Sequence, residues 1–251
     1  MNENEKSLSG SPVYRYEHVQ PKEFTPAIGD GENIEAISNH IEKHVGTIAS
    51  VFHEIVSDLV HIDVHWVKPS ASFPFHTLVT SGMSDKPMTV PEGMEEHQYA
   101  ELCILLPADW EINGDGLKLM EEVFRDEKNY WPVRWLKIIA RFPHEYNTWV
   151  GWGHTIPNGE NAAPFAENTA LGCMLLMPAV SLPTEFLELK INDHKTINFY
   201  CLYPLYKEEM EYKLNKGSDA LLGKFEKYNI SNVVDINRPN TCRKKGFLGL
   251  W

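Results

Sequence analysis

Seven apolar residues, Ile34, Ile37, Ile41, Val45, Ile48, Phe52 and Ile55, recur at steps of three and four. That spacing is the repeat of one helix face, so the chain is expected to open its folded region with a helix over about 32–57. A helix with one apolar stripe needs a second surface to bury it. The sequence that follows supplies strands. VHIDVHWV (60–67) alternates, with Val60, Ile62, Val64 and Trp66 on one side and His61, Asp63 and His65 on a polar outer side. FHTLVTSG (75–82) reads as a second strand. YAELCILLP (99–107) is apolar almost throughout, as a central strand is, and Pro107 stops it.

Further along, Pro132 is placed at the first position of a helix that Pro143 ends. TWVGWGHTI (148–156), LGCMLLMP (171–178), FLELKI (186–191) and TINFYCLYP (196–204) read as strands. Helices at about 205–215 and 219–228 close the pattern, the second with Ser218 as its N-cap. The strands come in series, without strict alternation with helices. The expected class is therefore α+β: a mixed, mostly antiparallel sheet flanked by helices, in one domain. Residues 32–242 form that domain. Residues 1–31, rich in Gly, Pro, Ser and Asn, read as a flexible N-terminal arm, and 243–251 as a C-terminal tail.

The formal net charge is −12, which disfavours a nonspecific nucleic-acid binder, since such a protein needs many cations for phosphates. Residues 207–251 hold nine Lys/Arg against six Asp/Glu, a net of +3, so residues 1–206 carry −15. Cys103, Cys173, Cys201 and Cys242 show no CxxC spacing, and the first two sit in apolar runs, as buried thiols do. No apolar stretch reaches the length of a membrane helix, and MNENEKSLSGSP lacks the regions of a signal peptide. A cytoplasmic chain with no membrane association is expected.

Catalytic motifs are sought without success. HIEKH (40–44) has Ile where a zincin needs Glu. His61, Asp63 and His65 could meet a metal at period two, but a polar strand face explains them without a fourth ligand. GSDALLGKF (217–225) spaces its glycines wrongly for a phosphate loop, and no GxSxG elbow exists. The reading is of no catalytic residue, no metal and no cofactor. What stands out instead is aromatic: Trp149, Trp152 and His154 in NTWVGWGHT, with Tyr130, Trp131 and Trp135 nearby. On a strand, Trp149 would share a face with Gly151 and Gly153, and Trp152 and His154 would project together from the other. Trp149, Trp152 and His154 are the candidate partner-binding residues.

Several runs together resemble the suppressor-of-fused-like domain family: SFPFHTLVTSGMSDKPMTVPE (72–92), YAELCILLPADW (99–110), WPVRWLKIIARFPHEYNTWVGWGHTIP (131–157) and VVDINRPN (233–240). The resemblance covers about 32–242. It implies a mixed α/β domain that acts by binding protein. In animals the family's domain is the N-terminal half of a Hedgehog-pathway repressor that holds a transcription-factor peptide as a strand between two lobes. A second lobe is not expected within these 251 residues. Single-domain bacterial members of similar size imply a different role, immunity against polymorphic secreted toxins. The expected function is thus a non-enzymatic protein-binding domain, an immunity protein whose partner is a cognate toxin domain. The alternatives are a metal-dependent or His-dependent hydrolase using 61–65 or His154, and a regulatory scaffold. The expected contact surface is the sheet edge or the 149–154 segment.

Overall fold

The computed structural model describes residues 5–16, 24, 26–54, 57–112 and 126–243. Its framework is one eight-stranded sheet: β1 (Ile48–Phe52), β2 (Asp63–Val67), β3 (Phe75–Ser81), β4 (Ala100–Pro107), β5 (Thr155–Pro157), β6 (Leu171–Met177), β7 (Glu188–Asn192) and β8 (Lys195–Tyr206). The spatial order is β1-β2-β3-β4-β8-β6-β5, with β7 paired to the start of β8. Every pairing is antiparallel except β4 with β8, which is parallel. The expected mixed, mostly antiparallel sheet is the sheet observed, and the apolar 99–107 run lies at its centre.

Four helices cover the sheet among the described residues: α1 (Gly31–His44), α2 (Glu127–Tyr146), α3 (Lys207–Lys216) and α4 (Ser218–Tyr228). Strand alternation sorts the core into two layers. Leu102, Ile104 and Leu106 of β4 join Val64, Trp66 and the α2 residues Trp131, Trp135, Leu136 and Ile139. Cys103 and Leu105 face the other way, towards Ile37 and Ile41 of α1, Met210 of α3, and Leu221 and Phe225 of α4. The sheet is buried on both faces, which is why β2, β3, β4 and β6 are buried almost residue for residue.

Three sequence expectations change. The 32–57 helix stops at His44. Val45 is its C-cap, Gly46 has φ +149, and Ile48–Phe52 is strand β1. Ile48 and Phe52 fit a strand's period as well as a helix's, so the stripe runs on through the junction. Ile55 lies outside the described residues. Second, Pro132 does not begin a helix and Pro143 does not end one. α2 starts at Glu127, with the Asp126 carboxylate accepting from Lys128 N–H, and both prolines lie inside it. Pro132 has no N–H to give the Lys128 carbonyl one turn back. Asn168 Nδ2 donates to that carbonyl instead, at 3.2 Å. Third, Ser218 is the first residue of α4, after Gly217, and makes no side-chain cap.

The family-like runs hold the frame together. Gly82, at φ +101, is pressed so close to the His61 carbonyl that a Cβ would sit 1.8 Å from its oxygen. The turn it makes carries Ser84 to the fully buried Glu101, which accepts from Ser84 N–H (2.9 Å), Ser84 Oγ (2.7 Å) and Thr80 Oγ1 (2.6 Å). At the other end of the chain, Arg238 of the 233–240 run is buried against Glu209 of α3 and donates to the Pro204 carbonyl. In the first 31 residues, Tyr16 stacks edge-on to Phe142 and donates or accepts a 2.7 Å hydrogen bond with Thr148 Oγ1. Of the 243–251 tail only Arg243 is described.

Candidate protein-interaction surface

The 148–156 run is not one strand. Strand pairing begins only at Thr155, and 151–154 is a turn, closed by His154 N–H on the Gly151 carbonyl at 3.1 Å. The two glycines explain it. Gly153 has φ +81, and a Cβ on Gly151 would meet Trp149 Cζ3 at 2.7 Å. Gly153 N–H then bonds the Leu176 carbonyl, and Leu176 N–H the His154 carbonyl, tying the turn to the end of β6.

The turn re-sorts the three candidate residues. Trp149 and His154 come together, ring centroids 4.4 Å apart in an edge-on packing, where a strand would have kept them on opposite faces. Trp149 is half-buried against the α2-side core and stacks on His97 from its other side. Burial first, then the charge of Lys213, push the His154 imidazole down to about 4, so it is neutral at pH 7. Trp152 separates from both. It is 65% exposed, and its indole N–H points to Met177 Sδ at 3.2 Å. Trp66, Trp110, Trp131, Trp135 and Trp149 are all buried or half-buried, so Trp152 alone of the six described tryptophans faces solvent. Val180, three residues past Met177, is 74% exposed. An exposed aromatic on a turn tied to the sheet has the makings of an interface anchor.

The two ends of the main strand path are poorly suited to receive another strand. On β5, the His154 carbonyl and the Asn158 N–H bond β6, so Thr155 and Pro157 present the outward backbone. Proline has no N–H to offer there, and the strand is three residues long. On β1, Ile48 N–H donates to Glu42 Oε1 at 3.2 Å, and the Phe52 carbonyl accepts from Lys137 Nζ at 3.1 Å. The turn, by contrast, presents Trp152 to solvent.

The histidine-bearing strand also differs from expectation. Its polar side is not outer: Asp63 and His65 are buried. His65 Nε2 shares a 2.9 Å hydrogen bond with Ser81 Oγ, and burial pushes its imidazole down to about 4. His65 therefore sits neutral in the core. Asp63 instead meets His53, from the end of β1, and His61. His53 carried no signal in the sequence, because only the β1–β2 pairing folds it back over Asp63.

An α+β domain with one mixed sheet and helices on both faces defines the structural class. Residues 58–239, well over half of the chain, match the family model described as suppressor of fused protein (SUFU). The chain belongs to the suppressor-of-fused family. It is similar in structure to a suppressor-of-fused homologue from Neisseria gonorrhoeae, with a TM-score of 0.61 and 18% identity over 86% of this chain and 100% of that one. It also resembles the Sufu–Fu complex structure, with a TM-score of 0.57 and 13% identity over 83% of this chain and 92% of that one. For Drosophila Suppressor of Fused the TM-score is 0.54 and the identity 15%, over 85% of this chain but 54% of that one. An uncharacterized protein of Ureaplasma parvum serovar 3 is 27% identical over 143 residues, 57% of this chain and 62% of the relative's length.

Proposed function

We propose that the chain is a protein-binding domain that engages its partner through the 149–154 turn, with Trp152 as the anchor. The observation that carries this reading is the exposure of Trp152, 65%, on a turn fixed by Gly151, Gly153 and the end of β6. A rigid aromatic contributes area to an interface at little entropic cost. The Sufu–Fu complex, similar in fold, is itself an assembly with a protein partner. The half-buried Trp149 and His154 support the turn from beneath rather than touch the partner.

The partner we favour is a basic toxin domain, with this chain as its immunity protein. The net charge of −12 supports it, since opposite net charges speed association and favour the right partner. The resemblance to single-domain bacterial members supports it as well. The test is binding to the protein encoded by the neighbouring gene, with wild type and Trp152→Ala side by side. An anchor predicts a loss of about 2 kcal/mol or more in affinity, roughly 30-fold, with the melting temperature unchanged. Undiminished affinity in the folded variant refutes the Trp152 surface. Absence of binding to the neighbour's product by wild type refutes the immunity reading.

A further inference from the structure

Outside the 149–154 turn, one cluster on the opposite end of the sheet has unspent chemistry. His53 follows the last residue of β1, His61 lies in the segment before β2, and Asp63 is the first residue of β2. His53 Nδ1 is 2.8 Å from Asp63 Oδ2, and His61 Nε2 is 3.1 Å from Asp63 Oδ1. All three ligand atoms lie within 4.8 Å of one another.

The hydrogen bonds around the cluster decide where the protons are. Glu54 is placed as an acceptor: Arg141 reaches both of its oxygens at 2.6 Å, and Ile62 N–H donates to Oε2 at 3.1 Å. It therefore accepts the single Ser57 hydroxyl proton, at 2.8 Å. Ser57 Oγ also lies 2.8 Å from His61 Nδ1. With its own proton given to Glu54, Ser57 can only accept, so His61 carries its proton on Nδ1. His61 Nε2 then points a lone pair at a carboxylate oxygen. Two lone pairs at 3.1 Å repel unless a proton or another cation lies between them.

We propose that His53, His61 and Asp63 bind a divalent transition-metal ion of the zinc class. Two imidazoles and a carboxylate are a ligand set such ions accept. Tetrahedral bonds of about 2.0–2.1 Å place ligand atoms about 3.3 Å apart, and each imidazole nitrogen already stands near that separation from one Asp63 oxygen, His53 from Oδ2 and His61 from Oδ1. The surrounding bonds are those that hold metal ligands in place. Ser57 fixes the His61 tautomer that leaves Nε2 free, and Glu54 N–H donates to Asp63 Oδ1 at 3.1 Å. The nearby cations are engaged elsewhere: Arg141 reaches both Glu54 oxygens at 2.6 Å, and Lys137 Nζ bonds the Phe52 carbonyl. The His53 side chain is 68% exposed, which gives the ion a route in and leaves water the remaining coordination position. The site is independent of the Trp152 surface.

The test uses the full chain, untagged and stripped of metal, titrated with Zn2+ by calorimetry and with Co2+ by visible absorption. One ion per chain is expected, with Co2+ bands of four- or five-coordinate strength. His53→Ala, at an exposed position, should keep the fold and weaken both ions by more than about 10-fold, because even outer-shell partners contribute about 10–100-fold. His61→Ala should do the same, and Ser57→Ala should weaken binding about 10-fold. His194→Ala, an exposed histidine in the turn between β7 and β8, should change nothing. The proposal is overturned if wild type binds neither ion stoichiometrically. It is equally overturned if His53→Ala or His61→Ala, folded by circular dichroism, binds as tightly as wild type.

Discussion

Glu101→Gln tests whether the family-like run 72–92 is held by a buried proton. Glu101 is fully buried, and burial pushes its carboxyl from an ordinary 4.5 up to about 7, against the opposing hydrogen bonds from Thr80 and Ser84. The folded protein therefore holds a proton between those two values that the unfolded chain has released. Stability must fall with rising pH across that window. It is fully present below about 4.5 and is lost as pH passes through about 7. At about 1.36 kcal/mol per pH unit, the gap amounts to roughly 3 kcal/mol. Glutamine has the shape of the protonated acid. Its carbonyl can accept from Ser84, and its amide can donate to Thr80 Oγ1, whose own hydroxyl proton then turns to the Leu102 carbonyl 3.4 Å away. The variant has nothing to titrate. Urea unfolding of both proteins from pH 5 to pH 8.5 should give similar stabilities at pH 5 and an advantage for Glu101→Gln that grows to roughly 3 kcal/mol by pH 8. A difference between the two proteins that stays constant across the series refutes the buried proton.

Two further substitutions probe the same frame. Gly82→Ala places a methyl 1.8 Å from the His61 carbonyl oxygen in a left-handed backbone, and should cost upwards of about 4 kcal/mol or prevent folding, read by denaturant unfolding or soluble yield. Arg238→Ala leaves Glu209 buried without its cation, and a loss of about 3–5 kcal/mol is expected in the same assay at pH 7.

How much of this was readable beforehand depends on whether one periodicity or two were consistent with the residues. β4 was legible because a run that is apolar but for Glu101, and is stopped by proline, reads as a strand buried on both sides. The sheet's order was not legible, since nothing local in KTINFYCLYPLY says that β8 runs parallel to β4. The 32–57 helix was overextended because Ile48 and Phe52 satisfy both repeats, and the terminator was a single Gly46 with its β-branched followers Thr47 and Ile48. α2 was clipped at both ends because its prolines were read as punctuation, and the side chain that stands in for the missing N–H, Asn168, is thirty-six residues downstream of Pro132.

The candidate surface shows the same limit more sharply. The residues of NTWVGWGHT were found, but their arrangement was inverted, because period-two reasoning treats glycine as a strand residue with a small side chain. At Gly153 glycine acts instead by adopting φ +81, and at Gly151 by leaving room for the ring of Trp149. Both effects turn the chain, so Trp149 and His154 pack against each other and Trp152 is thrown outward alone. Position in the turn therefore divides the three aromatic residues by role. Trp149 lies over the α2-side core with His97 and His154 on its ring, so its loss is felt in stability. Trp152 touches the fold mainly through Met177, so its loss is felt in whatever it meets in solution. A sequence carries the identities of such residues, while the division between them is made by a backbone angle that only the folded chain displays.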